Sequence, residues 1–209
     1  MKSATRLNFS LRRHPPYIYL GARTACDSDF CHQAARMHEA VELIQLGGRA
    51  GLVSHITGIE KKTVKRLCRQ LRGASSPPGQ MPFSDAWFLE NDLRMLHATV
   101  VWRLHRRLTR TGRGKARILI DVYMSYLNLV REPLLDLVHA AFVPRLVDMN
   151  IWEERACQYC RGAYLAPIVS NDNECPGCRL YHRHRCRICG DRIDAQRRGR
   201  RRHTCERCK

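Results

Sequence analysis

Four Cys-x-x-Cys pairs dominate the C-terminal quarter of the sequence. They read Cys157-Gln-Tyr-Cys160, Cys175-Pro-Gly-Cys178, Cys186-Arg-Ile-Cys189 and Cys205-Glu-Arg-Cys208. Two residues between cysteines allow both sulfurs to turn toward one ion, as a tetrahedral zinc site requires. Fourteen residues separate the first two pairs, fifteen separate the last two, and only seven lie between the two halves. We therefore predict two four-cysteine zinc sites formed in sequence order, a first unit at 157–178 and a second at 186–208.

The composition of this segment favours metal over a redox or disulfide tail. From residue 179 onward the apolar side chains are little more than Leu180, Tyr181, Ile188 and Ile193, which are too few to bury a core. A thioredoxin-like motif would need one Cys-x-x-Cys after a strand in a βαβ unit, and the sequence has no such unit. We therefore expect zinc to hold the fold of the segment. Four cysteines close a structural site, so we expect no catalytic water at the metal and no enzyme activity.

The charge of the chain indicates a polyanionic partner. Lys and Arg number 37 against 19 Asp and Glu, giving +18 and a pI near 10.0, and such a balance favours nucleic acid. Half of the excess lies in residues 179–209, which include an arginine-rich run at 197–202. A second cluster at 103–117 has seven basic residues and no acid. From it we take Arg106, Arg107 and Arg110 as candidate DNA contacts.

Hydropathy predicts a protein without a membrane partner. The apolar stretches are broken far short of the ~18 residues that a spanning helix needs. The first residues carry several arginines and no apolar run of ~7 to 15 residues, so a secretory signal is not expected. We expect the protein to be cytoplasmic.

Apolar spacing in the body of the chain is mostly helical. The fold class we predict is mainly α, a helical bundle with a helix-turn-helix-like segment, followed by the small Cys-rich zinc-binding region. The predicted helices are 33–46, 49–56, 61–72, 85–109, 115–130 and 133–143. The proline-rich stretch 73–82 cannot be helical and is predicted to be a linker or crossing loop.

Residues 50–69 fit a helix-turn-helix, with Gly58 at the turn. The second helix divides into two faces, because Val64, Leu67, Cys68 and Leu71 form an apolar stripe. The opposite face carries basic residues that we take as candidate groove contacts: Lys61, Lys62, Lys65, Arg66 and Arg69. Thr57 and Glu60 are spaced as a Thr-x-x-Glu capping box that would start this helix.

Three sequence blocks resemble a known family. They are Glu42-Leu-Ile-Gln-Leu-Gly-Gly-Arg49, then Leu71-Arg-Gly-Ala-Ser-Ser-Pro-Pro-Gly-Gln-Met-Pro-Phe-Ser-Asp-Ala-Trp-Phe88, then His97-Ala-Thr. Together they resemble FlhC, the C subunit of the flagellar master transcriptional activator, over about residues 31–178. The N-terminal stretch and the second cysteine unit depart from that pattern.

The resemblance implies a function and partners. It implies a bacterial DNA-binding activator that works in a hetero-oligomer with the D subunit and recruits RNA polymerase to flagellar promoters. It also implies one structural zinc on Cys157, Cys160, Cys175 and Cys178, while the site on Cys186, Cys189, Cys205 and Cys208 is predicted from spacing alone. The domains are then an N-terminal extension at 1–30, an α-helical DNA-binding and partner-binding domain at 31–150, and a zinc-binding region at 151–209.

One alternative stays open at this point. A zinc-containing protein that binds RNA or single-stranded nucleic acid would share the basic charge and the cysteine pairs. It would also need aromatic side chains on the basic surface for base stacking, and the tail after Cys178 offers only Tyr181. We expect double-stranded promoter DNA to be the partner.

Overall fold

The computed structural model describes residues 28–76, 79, 82–193 and 203–209. The mainly helical fold class is confirmed, with a Cys-rich region following the helices. The helices are α1 Ser28–Gln45, α2 Ala50–Thr57, α3 Lys61–Arg72, α4 Ala86–Leu89, α5 Asp92–Leu108, α6 Lys115–Leu129, α7 Leu137–Asp148 and α8 Pro176–Tyr181. The strands are β1 Trp152–Ala156 and β2 Ala163–Pro167. Most of the N-terminal extension and the arginine-rich run lie outside the described residues.

Three of the predicted helices differ from the structure by more than one residue. The predicted helix 33–46 begins five residues earlier, at Ser28. The predicted helix 85–109 is divided into α4 and α5 because Asn91 adopts an extended backbone, and its side chain accepts a 2.8 Å hydrogen bond from the amide of Leu93. The predicted helix 133–143 begins later, at Leu137, because the side chain of Asp136 caps it by accepting a hydrogen bond from the amide of His139. The helix also continues beyond residue 143, to Asp148. Pro144 lies inside this helix, where it removes only one backbone donor.

The helices α1 to α7 all contribute side chains to one hydrophobic core. Its largest fully buried side chains include Leu43, Phe88 and Tyr126. The strands β1 and β2 form an antiparallel hairpin, with Trp152 opposite Pro167 and Ala156 opposite Ala163. We did not predict this hairpin, and two of its side chains, Trp152 and Leu165, join the same core. The cysteine region is therefore packed directly onto the helical body.

The glycine pair in the first resemblance block, Gly47 and Gly48, has a steric cause. Gly47 has a φ of +98°, a backbone conformation that side chains rarely adopt. The amide of Gly48 donates to the carbonyl of Leu43 at 2.7 Å, and a Cβ on Gly48 would lie 2.6 Å from that oxygen and 2.8 Å from Val53. Any larger residue at 48 would therefore separate α1 from α2.

The block His97-Ala-Thr fastens α5 to its neighbours. The hydroxyl of Tyr126 accepts hydrogen bonds from the amides of Leu134 and Leu135, so its own proton is donated to Nδ1 of His97, 2.7 Å away. Thr99 accepts a 3.2 Å hydrogen bond from the amide of Leu165 in β2. This block therefore holds both the α6–α7 connection and the hairpin against α5. No helix in the described part of the chain has the length and apolar character needed to span a membrane.

Candidate metal centres and nucleic-acid interface

The first cysteine unit brings four sulfurs into one small cluster. The Sγ atoms of Cys157, Cys160, Cys175 and Cys178 all lie within 4.8 Å of one another. The Cys157–Cys178 sulfur distance is 3.8 Å and the Cys160–Cys175 distance is 3.7 Å. A tetrahedral site with Zn–S bonds of ~2.3 Å has sulfur–sulfur edges of about 3.8 Å. Both measured sulfur–sulfur distances match this edge, so the dimensions of the cluster are those of a four-cysteine site for a single zinc ion.

Two local structures hold this quartet. Cys157 follows β1 directly, and the turn after it is closed by two hydrogen bonds, from the amide of Arg161 to the carbonyl of Cys157 and from the amide of Cys157 to the carbonyl of Gly162. Arg161 has a φ of 59° at this turn. Cys175 is the N-cap of α8, and its sulfur accepts a 3.3 Å hydrogen bond from the amide of Cys178. The knuckle and the helix start each supply two ligands.

The second unit repeats the same knuckle. The Sγ atoms of Cys186, Cys189, Cys205 and Cys208 also lie within 4.8 Å of one another, and Cys189 and Cys205 are 3.5 Å apart. The amide of Gly190 donates to the carbonyl of Cys186, and the amide of Cys186 donates to that of Asp191. These bonds span the same numbers of residues as those of the first knuckle, and Gly190 takes the positive φ, 76°, that Arg161 takes there. The pairs combine in sequence order, as the spacing predicted.

The ionisation of the thiols indicates a site built for a cation. Burial opposes ionisation of Cys157, but backbone amides donate to its sulfur and lower the pKa of that thiol to about 6. Burial and the neighbouring thiols raise the pKa of Cys178. In the second unit, donation from the amide of Cys189 lowers the pKa of Cys186 to about 6, while hydrogen bonding with Cys205 and Cys189 raises the pKa of Cys208 to about 12. Four thiolates can coexist in such a quartet only when a cation compensates them.

The basic helix α3 has the two faces that its sequence predicts. Val64 and Cys68 are fully buried, and Leu67 is half-buried, whereas Leu71 is more exposed than the stripe predicted. The five candidate groove contacts are all exposed: Lys61, Lys62, Lys65, Arg66 and Arg69. Gly58 has a φ of 71° and ends α2 two residues before Glu60, the residue that precedes α3. The arrangement leaves one side of α3 entirely cationic.

The predicted capping box at the start of α3 is wrong. Glu60 makes no side-chain capping bond. The hydroxyl of Thr57 instead donates to the carbonyl of Val53 at 2.7 Å, and it accepts a weak 3.4 Å bond from the amide of Ile59. Thr57 therefore belongs to the last turn of α2, where its hydroxyl donates to a backbone carbonyl of the same helix, and it does not cap α3.

The second basic cluster is partly neutralised by the fold. Arg106 forms an ion pair with Glu154 of β1, which also accepts a 2.8 Å hydrogen bond from Nε1 of Trp102. Arg113 and Arg117 are paired with Asp121. Arg107 and Arg110 are exposed and have no ion pair within the described residues. Arg106 is therefore a weaker candidate for a phosphate contact than the sequence alone indicated.

An aromatic group beside the first quartet went unnoticed in the sequence. The ring of His182 lies 5.0 Å from that of Tyr181 and 6.0 Å from that of Tyr159. The guanidinium of Arg185 lies over Tyr181, and that of Arg187 lies over Tyr159. Tyr159 lies between Cys157 and Cys160, so the sequence indicates that it lies beside the first quartet. Nothing in the spacing indicates that it also contacts His182.

A scan against protein families gave a match over most of the sequence. The model described as "Flagellar transcriptional activator (FlhC)" matches residues 27–202. The chain belongs to the FlhC family. The family match reaches beyond the resemblance, which ended at Cys178, and takes in the first pair of the second unit. The last pair, Cys205 and Cys208, lies outside it.

Curated relatives carry the same family name. A flagellar transcriptional regulator FlhC from Enterobacter cloacae is 28% identical over 66% of this chain and 76% of its own length. One from Thauera aminoaromatica is 30% identical over 64% and 71%. One from Pectobacterium carotovorum is 27% identical over 74% and 82%. The FlhC resemblance inferred from three sequence blocks is confirmed, and membership of this family makes the chain a transcriptional regulator of flagellar genes.

Proposed function

We propose that this FlhC-family chain is a zinc-stabilised, DNA-binding activator of flagellar genes that acts in a hetero-oligomer with the D subunit. In this proposal each cysteine quartet holds one structural Zn²⁺, and α3 reads the major groove of promoter DNA. The partners are double-stranded promoter DNA, the D subunit and RNA polymerase, and the complex works in the cytoplasm.

The observation that carries DNA binding is the division of α3 into a buried and a cationic face. Val64 and Cys68 anchor the helix in the core, so the basic side chains cannot turn inward. A groove-reading helix needs this fixed orientation, because long donors must reach base edges and phosphates together. The α2–Gly58–α3 arrangement supplies the orientation, as in helix-turn-helix proteins.

Zinc leaves the chain cationic. Two ions add four positive charges and eight thiolates add eight negative ones, so the formal charge falls from +18 to about +14. That excess would attract the phosphate backbone in a salt-dependent manner. Arg107 and Arg110 are the better candidates in the second cluster, because neither has an ion pair in the part of the chain that the structure describes. The arginine-rich run at 197–202 is a further candidate for phosphate contact.

The test is a binding assay with the zinc-loaded chain copurified with its D subunit. A flagellar promoter duplex should bind the complex, and replacing Lys65, Arg66 and Arg69 together by Ala should weaken binding strongly. A variant with three alanines at Arg131, Arg145 and Arg183 is the matched control, because it removes equal charge at exposed arginines outside α3. Equal losses in the two variants would contradict a reading role for α3 and leave only non-specific attraction.

The aromatic group beside the first quartet favours a second candidate function, the binding of RNA or single-stranded nucleic acid. Tyr159, Tyr181 and His182 lie together beside arginines, and Tyr181 is 58% exposed. Stacking on such rings favours unpaired bases. Competition decides between the two functions: an excess of single-stranded DNA of the same sequence should fail to displace the duplex if α3 reads double-stranded DNA. Efficient displacement by the single strand or by RNA would favour the alternative.

A further inference from the structure

The two cysteine units are joined by one arginine. Arg187 lies between Cys186 and Cys189, so its backbone belongs to the second knuckle. Its amide donates a 2.9 Å hydrogen bond to the carbonyl of His203, two residues before Cys205. The backbone position of Arg187 therefore depends on both halves of the second quartet being assembled.

The side chain of Arg187 leaves its own unit and enters the first one. Nη2 lies 2.6 Å from Oε2 of Glu174, and Nη1 donates to the hydroxyl of Tyr159 at 2.5 Å. The guanidinium also lies over the Tyr159 ring, 4.9 Å from its centroid. Glu174 directly precedes Cys175, and Tyr159 lies between Cys157 and Cys160. One guanidinium thus contacts both ligand loops of the first quartet, and we name these three residues the Arg187 bridge.

The carboxylate of Glu174 is buried, so its ion pair with Arg187 matters for the stability of the first cysteine unit. Glu174 is only 9% exposed, and its Oε1 has no hydrogen-bond partner within the described residues. Its only ion pair there is with Arg187. Removing the partner of a buried charge is costly, because the remaining charge has neither water nor a counterion. Without Arg187 in place, the segment leading into Cys175 would have to move so that Glu174 could reach solvent.

We propose that the second metal unit acts as a stabilising unit for the first, and that Arg187 is the positioning residue that transmits the effect. Assembly of the second quartet around its ion sets Arg187, which holds the ligand loops of Cys157–Cys160 and Cys175 in the geometry that retains the first ion. The inference rests on the proposed two-ion occupancy. It gives the second unit a function apart from any contact with DNA.

Such coupling works in both directions. If the second ion increases the affinity for the first, the first must increase the affinity for the second by the same factor. Groups that orient metal ligands from outside the coordination shell change metal affinity by about 10- to 100-fold when they are mutated. We expect a factor in this range for loss of the Arg187 bridge.

The experiment measures zinc release from the full-length chain into excess 4-(2-pyridylazo)resorcinol. Cys208→Ser leaves only the first site and Cys178→Ser leaves only the second, so each variant gives the zinc release rate of one site without its neighbour. Because the coupling is reciprocal, both single-site chains should release their ion faster than the two-ion parent chain releases its first ion. First-site release should be about 10- to 100-fold faster in Cys208→Ser and in Arg187→Ala than in the parent. The double variant Cys208→Ser/Arg187→Ala should release first-site zinc little faster than either single variant, because both substitutions remove the same bridge. Arg187→Lys, which keeps the charge but not the two-pronged contact, should release at an intermediate rate.

Arg183→Ala is the matched control, because it removes an exposed arginine of the same segment and should release at the parent rate. The Co²⁺-substituted Arg187→Ala chain should keep the absorption bands of four-thiolate tetrahedral cobalt, which would show that its first quartet still assembles. Unchanged first-site release in both Cys208→Ser and Arg187→Ala would overturn the inference while leaving two-ion occupancy intact. A parent chain that binds a single ion would instead overturn the two-site proposal, and the inference with it.

Discussion

Nε1 of Trp152 donates a 2.8 Å hydrogen bond to Oδ2 of Asp85, joining the first residue of β1 to the turn that precedes α4. Trp152 is buried, and its ring meets that of Phe88 edge to face at 5.2 Å. Because β1 ends one residue before Cys157, this contact sets where the first quartet lies on the helical body. The Asp85-Ala-Trp-Phe88 part of the family block thus positions a cysteine quartet that begins about seventy residues further along the chain.

The Asp85–Trp152 bond gives the first prediction. Asp85→Ala leaves a buried indole N–H without an acceptor, so we expect the free energy of unfolding to fall by about 1–3 kcal/mol. Asp85→Asn keeps an acceptor at this position and should lose less. Urea unfolding of the zinc-loaded chain measures both, and equal losses for the two variants would contradict a specific role for this bond.

Acid should destabilise the fold partly through His97. Burial lowers the pKa of His97 below its ordinary value of 6.5. The unfolded chain therefore binds more protons than the folded one as the pH falls below about 6.5, and stability decreases over that range. Protonation would also turn Nδ1 into a donor facing the Tyr126 hydroxyl, which already accepts two amide hydrogen bonds.

His97→Gln should consequently lose less stability between about pH 7 and pH 5 than the parent chain does, in urea unfolding at each pH. His55→Gln, at an exposed histidine, should keep the parental pH dependence. If the stability of His97→Gln fell with pH as much as that of the parent chain, protonation of His97 would not contribute to the acid destabilisation.

Cysteines inside and outside the quartets should behave differently. Cys68→Ala removes a thiol buried in the core beneath α3, so it should cost about 1–2 kcal/mol of stability and leave the metal content unchanged. Cys175→Ser removes a ligand and should reduce the zinc content by one ion per chain. Metal analysis of both variants checks this, and zinc loss in Cys68→Ala would contradict the assignment of ligands.

The basic face of α3 should contribute to the salt dependence of DNA binding. Each phosphate contact adds roughly 0.9 to the slope of log affinity against log salt, so a single substitution such as Lys65→Ala or Arg66→Ala should reduce the slope by up to about that amount. A residue that reads a base should also relax sequence preference. Arg106→Ala should change the slope less, because Glu154 already neutralises Arg106. A larger effect at Arg106 than at Lys65 would contradict this ranking.

The helical body and the quartets could be predicted because their signals are local. Helical periodicity gave α3 its bounds, and Cys-x-x-Cys spacing gave the composition of both clusters. The division between α4 and α5 depends on one extended residue, Asn91, whose capping role cannot be distinguished by periodicity from a polar helical position. Pro144 follows the predicted end of α7 at residue 143, because proline usually ends a helix. The structure continues α7 through Pro144 and tolerates the loss of one backbone N–H donor there.

Contacts between distant segments could not be predicted from one sequence. Glu154 lies 48 residues from Arg106, and no spacing rule indicates that pair. The same is true of the Arg187 bridge, since its partners become neighbours only after both knuckles have formed. The β hairpin could not be predicted because β1 contains three consecutive charged residues, Glu153, Glu154 and Arg155, and so lacks the alternation of apolar and polar residues that marks a strand.

The central claim is that two thiolate quartets each hold a zinc ion beside a helical body that carries a DNA-reading helix. Metal analysis combined with native mass measurement of the chain copurified with its D subunit tests it most directly, because ion count and assembly are obtained together. We predict two zinc ions per chain, lost together with the fold of the cysteine region on treatment with a strong chelator. A preparation that binds promoter DNA with no zinc, or with its quartet cysteines paired as disulfides, would contradict the account.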